Sequence, residues 1–233
     1  MCGRYLFISE EAELKELLYL ASFGSGVEPE PNDFPSGEIF PGTRMPVITD
    51  MIFAGSGDGL KRIKESVRME LSVWGIPIYG KKKDIINARR ERIMESPIFS
   101  ELFRSGRCVI PASGYFEWKH SDEPETADDN VQLDLFGGYS VMSGKTKKTR
   151  SEKYLFTMPD SKIMYMAGLS GIYGNTSRFA VITGNAEGGA AEIHDRMPLI
   201  LTEDSVSLWL NDERSAISLL EGEIPEPRFA LAG

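Results

Sequence analysis

Val67-Arg68-Met69-Glu70-Leu71-Ser72-Val73-Trp74 alternates apolar and polar side chains with a period of two, which is the pattern of a half-buried β-strand. Upstream, Met45–Ile52 reads as a second strand, and Gly55-Ser56-Gly57-Asp58-Gly59 supplies the turn between them. Further strand candidates lie at Arg4–Ile8, Arg107–Ile110, Tyr115–Trp118, Tyr154–Met158, Ile163–Leu169 and Phe179–Thr183. Helical signals are fewer. Ser9 reads as the N-cap of a helix that carries Leu14, Leu17, Leu18 and Ala21. Asn87–Met94 and Pro97–Arg104 also read as helical, the second capped by Ser96 with Pro97 in its first position. Thr202 caps a helix with Val206, Trp209 and Leu210, and another segment follows at Ala216–Leu220. Many strands with a few helices predict a β-rich α+β fold.

The 233 residues carry a net charge of −9, with 41% hydrophobic and 26% charged residues, ordinary values for a globular protein. The length suffices for a full core, and no repeat or linker divides the chain, so residues 1–233 read as one domain. Residues 121–152 are the one compositional break, an insertion into what would otherwise be a hairpin, and the tail 222–233 reads as irregular. No apolar run approaches a membrane span and no signal peptide is evident, so no membrane partner is expected. Two cysteines, Cys2 and Cys108, make no disulfide framework and fit a reducing cytoplasm. With only His120 and His194 beside them, no zinc site is expected. No Walker loop, GxSxG or GxGxxG occurs, and no cofactor is expected. The negative charge argues mildly against a nucleic-acid partner. Locally the balance differs: residues 81–92 hold six basic and two acidic groups, whereas residues 121–130 hold five acidic and no basic ones.

Met1-Cys2-Gly3-Arg4-Tyr5 carries a specific chemical possibility. Removal of Met1 ahead of the small Cys2 would leave an α-amine and a thiol on adjacent carbons. Their ordinary pKa values, about 7.7–8.0 and about 8.5, leave both partly nucleophilic near neutral pH. Such a 1,2-aminothiol forms an imine with an aldehyde and then closes to a thiazolidine. Glu117, between Phe116 and Trp118, is a candidate general acid–base if its aromatic neighbours desolvate it; it reads equally as the outward position of an alternating strand. His194, flanked by Asp195 and Arg196 after a glycine-rich loop, is a second candidate. Asn87 either caps a helix or orients a nucleophile.

Six motifs occur in order: Met1-Cys2-Gly3-Arg4-Tyr5, Trp74-Gly75-Ile76-Pro77, Asn87-Ala88-Arg89-Arg90-Glu91, Arg107-Cys108-Val109-Ile110-Pro111, Gly114-Tyr115-Phe116-Glu117-Trp118 and Ile193-His194-Asp195-Arg196-Met197-Pro198. Together they resemble the SOS response-associated peptidase (SRAP) family, from Cys2 to about Leu210. The resemblance implies a single β-rich domain that binds single-stranded DNA and captures abasic sites covalently. It also implies autocatalytic removal of Met1, with an associated lyase activity, in the cytoplasm and at the nucleoid when DNA is damaged. By matching position, Cys2 is the nucleophile, Asn87 holds it, Glu117 assists imine formation, and His194 opens the sugar ring. Arg4, Arg89 and Arg196 are expected on phosphates, Trp74 and Trp118 against bases, and Pro41 along the same channel. Two features depart from the family pattern: the insertion is longer than expected, and Arg90 has no assigned role.

Within the insertion, Gln132-Leu133-Asp134-Leu135-Phe136 resembles the short peptide by which bacterial replication and repair proteins dock on the sliding clamp. Two other readings compete with covalent capture. One is a cysteine peptidase using Cys2 and His194; the other is a non-covalent adaptor for DNA or the clamp.

Overall fold

The structure, a computed structural model, describes residues 2–23, 33–54, 63–78, 80, 82–121 and 150–232. The chain opens with β1 (Arg4–Phe7), helix α1 (Ala12–Leu20), and the short strands β2 (Ala21–Phe23) and β3 (Gly37–Ile39). The long strands β4 (Arg44–Ala54) and β5 (Ile63–Trp74) follow, then β6 (Asn87–Arg89), a 3-10 turn over Arg90–Arg92 and helix α2 (Pro97–Ser105). Next come β7 (Arg107–Ala112), β8 (Gly114–Ser121), β9 (Arg150–Thr157), β10 (Met164–Tyr173) and β11 (Thr176–Asn185). A 3-10 turn at Gly188–Glu192 leads into β12 (Arg196–Pro198) and β13 (Ile200–Leu201). Helices α3 (Glu203–Asn211) and α4 (Glu213–Glu221) and strand β14 (Arg228–Leu231) complete the chain. The predicted β-rich α+β class is what the molecule shows.

Strands β11, β10, β7, β4 and β5 pair in succession, and β5 pairs back onto β11 through Arg178↔Val73 and Phe179↔Trp74. Five strands thus close into a ring, which removes free edges from the centre of the sheet. The second sheet runs β14-β9-β8-β1-β3. The closing pair changes the expected facing of β5. Val67 and Met69 are buried while Arg68 and Glu70 are exposed, as the alternation predicts. Farther along, where β5 meets β11, Ser72 and Trp74 on the other face become fully buried and Leu71 and Val73 only half so. The period of two persists, but the covered side changes.

Local signals hold at α2, where the Ser96 hydroxyl accepts from the Phe99 amide at 3.4 Å and Pro97 occupies the first turn. Three expectations are corrected. Helix α1 begins at Ala12 rather than at Ser9, because the Glu11 amide first closes a turn onto the Ile8 carbonyl. Asn87–Arg89 is a strand, not the start of a helix, because it pairs in parallel with Val181–Thr183 of β11. The tail is not wholly irregular, since Arg228–Leu231 adds to the edge of β9. Strands β8 and β9 form the expected interrupted hairpin, paired from Tyr115↔Phe156 to Ser121↔Arg150. Gln132–Phe136 lies outside the described residues.

Candidate active site

Cys2 enters the fold at the head of β1, whose Tyr5 and Phe7 face the core while Arg4 and Leu6 face outward. In β8 the same alternation puts Tyr115 and Glu117 on the core side and Phe116 and Trp118 on the other. The strands pair through Tyr5↔Tyr115, so the two core-side tyrosines meet beside Cys2. From a separate strand, the Asn87 side-chain amide donates to the Cys2 carbonyl at 2.9 Å. Cys2, Asn87 and Glu117, distant in sequence, are thereby gathered in one place.

The electrostatics of this place favour neutral nucleophiles. Cys2 is fully buried, and that burial, together with the nearby Glu117 carboxylate, pushes its thiol well above the ordinary range. The hydroxyls of Tyr5 and Tyr115 are pushed up by burial and by proximity to Cys2. Among the described residues, the Tyr5 hydroxyl and Asn87 Oδ1 are buried polar atoms with no hydrogen-bond partner. Unused hydrogen-bonding capacity beside a buried thiol is costly unless it serves something.

On the opposite face of the same sheet lies a cationic and aromatic surface. The Arg4 guanidinium sits 4.6 Å from the Phe40 ring centre and 4.9 Å from that of Trp118. The Lys153 ammonium lies 4.1 Å from the centre of Phe116 and bonds to Glu38. Beside them, Phe40-Pro41-Gly42-Thr43 forms a tight turn closed by the Thr43 amide on the Phe40 carbonyl at 3.1 Å. Gly42 has φ +89°, a conformation that glycine supplies without strain, and Pro41 is left exposed at the tip.

A model of the SOS response associated peptidase (SRAP) family matches residues 1–228. The chain belongs to the SRAP family. Among its relatives, the abasic site processing protein YoqW of Bacillus subtilis is 28% identical over 220 residues, spanning 92% of this chain and 82% of that one. The abasic site processing protein YedK of Escherichia coli is 23% identical over 239 residues, covering 99% and 90% of the two chains. In fold, a crystal structure of a phage-related protein of Bordetella bronchiseptica superposes with a TM-score of 0.66 at 22% identity, over 99% of this chain and 94% of that one.

Within this SRAP fold the other expected residues separate into two groups. Arg89 is exposed next to Asn87, and Trp118 is half-buried against Arg4. Both keep part of their surface open to solvent. His194 lies between the 3-10 turn, which is capped by Ile193, and β12. Its Nδ1 lies 3.0 Å from the Arg196 amide nitrogen and 2.8 Å from an Asp195 carboxylate oxygen, and it cannot satisfy both at once. With its proton on Nε2 the ring accepts from the amide; with a proton on Nδ1 it donates to Asp195.

Trp74 and Arg196 correct the expectation. Trp74 is fully buried, stacked 6.3 Å from Phe179 and 5.2 Å from Tyr5, with its Nε1 donating to the Ile86 carbonyl at 3.0 Å. Its indole is part of the core and offers no face to a base. The Arg196 side chain is 7% exposed and clamps both oxygens of Glu91, at 2.8 and 3.0 Å, while also donating to Asn185 Oδ1 and the Thr183 carbonyl. The guanidinium ties the segment after Asn87 to β11 instead of facing a phosphate. Arg90, left unassigned by the motif, donates to the Gly222 carbonyl at 2.9 Å and so anchors the tail.

Sequence reasoning missed Tyr5 and Tyr115 beside Cys2, and Glu38, Phe40 and Lys153 on the outer face. The alternation of β1 and β8 contained a signal for the tyrosines. Nothing local to Glu38 or Lys153 announced that strand register would bring them together.

Proposed function

We propose that this protein processes abasic sites in single-stranded DNA by capturing the opened sugar covalently at Cys2. The observation that carries the reading is the Asn87 hydrogen bond to Cys2 at 2.9 Å, made where Glu117 is close enough to raise the thiol. Relatives named abasic site processing proteins support the choice of substrate.

Hydrolysis of the Met1–Cys2 peptide bond consumes one water and frees the α-amine. His194 takes a proton from the C1′ hydroxyl of the abasic sugar and returns one to the ring oxygen, which opens the sugar to its aldehyde. The amine adds to C1′, and a water leaves to give an imine, with Glu117 relaying the protons. The Cys2 S–H then adds across the C=N bond, sulfur to carbon and hydrogen to nitrogen, which closes the thiazolidine. Asn87 fixes the Cys2 backbone so that amine and sulfur reach the same carbon. Burial favours the uncharged amine that attack requires. The same imine permits β-elimination, so a lyase activity belongs to the proposal. Arg4 and Arg89 contact phosphates, Trp118 stacks on a base, and Pro41 borders the strand. Docking of Gln132–Phe136 on a bacterial sliding clamp completes the reading.

A general cysteine peptidase is less well supported, because such an enzyme needs a thiolate and this thiol is pushed up by burial. The test is a denaturing gel of the protein incubated with a single-stranded oligonucleotide containing one abasic site. A shifted band that vanishes for Cys2→Ala supports capture. Peptide cleavage without any adduct would overturn it.

A further inference from the structure

Resting on that reading of the site, we propose that the Glu38 carboxylate is an internal competitor for single-stranded DNA, occupying between Arg4 and Lys153 the position of a backbone phosphate. One of its oxygens bonds to Lys153 and the other lies 3.3 Å from Arg4 Nη1. A carboxylate shared by two cations reproduces the contacts that two oxygens of a phosphodiester make. Both cations are already placed by aromatic rings: Arg4 over Phe40 and Trp118, Lys153 over Phe116 at 4.1 Å and within 6.0 Å of the Trp118 centre. Phe40, 46% exposed, and the half-buried Trp118 offer π-faces to bases on either side of that phosphate.

The strength of the internal pairs suits exchange. The Arg4 and Glu38 side chains are 38% and 31% exposed, so their pairing is the weak, solvated kind, worth about fivefold at most in an equilibrium constant. Lys153, and to a smaller extent Arg4, hold the Glu38 carboxyl below its usual range, so it stays charged near neutral pH. On a chain of net charge −9, this arrangement keeps affinity for undamaged strands low. A strand tethered at Cys2 supplies its phosphate at high effective concentration and displaces the carboxylate into water. Selectivity for the lesion follows from a grip that tightens only after capture.

The experiment measures binding of a fluorescent, undamaged oligothymidylate by anisotropy across a salt series. Glu38→Gln is expected to bind about fivefold more tightly at low salt, with a salt slope steeper by about 0.7. Lys153→Gln removes one of the two cations that Glu38 holds, so in that background Glu38→Gln should gain less, the remainder coming from Arg4. Unchanged or weaker binding of Glu38→Gln, or an undiminished gain in the Lys153→Gln background, would overturn the proposal. Abasic-site crosslinking by the same variants is read separately on a denaturing gel. Crosslinking that continues while Glu38→Gln leaves affinity unchanged removes the competitor and spares the proposed function. Loss of crosslinking from the unsubstituted protein removes the function itself.

Discussion

The side-chain amide of Asn87 donates to the main-chain carbonyl of Cys2 at 2.9 Å across 85 residues of sequence. The contact fixes the backbone next to the nucleophile without engaging the thiol, which donates to the Arg4 carbonyl at 3.7 Å. Asn87→Ala should slow crosslinking about tenfold, the value of one hydrogen bond near the upper end of the usual range, while affinity for undamaged strands stays the same. A single-turnover time course on gels, run beside anisotropy, separates the two quantities.

Glu117 is the proton relay of the proposed imine step. Glu117→Gln keeps the size and removes the ability to exchange a proton, so crosslinking should slow by about 100-fold or more. A variant that crosslinks at the normal rate would deny Glu117 that part.

Arg89 is exposed, unlike the buried Arg196, and is proposed to contact a phosphate. Arg89→Ala should lower affinity for single-stranded DNA, reduce the salt slope by about 0.7, and leave the melting temperature unaltered. A changed melting temperature with an unchanged slope would assign Arg89 to the fold instead.

Trp118 and Trp74 are expected to behave oppositely. Trp118→Ala should weaken strand binding by about 1–3 kcal/mol, the value of one base stack, with little loss of stability. Trp74→Ala empties the core between Tyr5 and Phe179 and should cost about 3–5 kcal/mol of stability. Thermal unfolding and anisotropy on both variants check the contrast.

Glu91 makes the fold sensitive to acid. Burial raises its carboxyl, but the Arg196 hydrogen bonds, its own backbone amide and the charges of Arg196 and Arg89 together outweigh this and hold it below the ordinary value. A carboxylate with a lowered folded pKa adds stability that is complete above its unfolded pKa, about 4.3, and is lost as pH falls through the folded value. Glu91→Gln should therefore destabilise the protein near neutral pH, by about 1.5 kcal/mol given that Glu91 is 48% exposed, and the difference should shrink toward pH 3. Equal melting temperatures at pH 7 would rule out the clamp as a stabilising contact.

The sequence by itself determined the period of two in β5, the Ser96–Pro97 start of α2, the interrupted β8–β9 hairpin, and the motif order that marks the family. Each of these is written within a few residues, since alternation and capping act over one turn or one strand. Tertiary structure decided the rest. Asn87–Arg89 became a strand and Arg228–Leu231 joined a sheet because partners elsewhere offered free backbone groups. Trp74 and Arg196 turned inward because ring closure and the Glu91 clamp cover them on sides that the local pattern leaves open. The Glu38 bridge between Arg4 and Lys153 exists only in the register of four strands, which no stretch of the chain encodes alone.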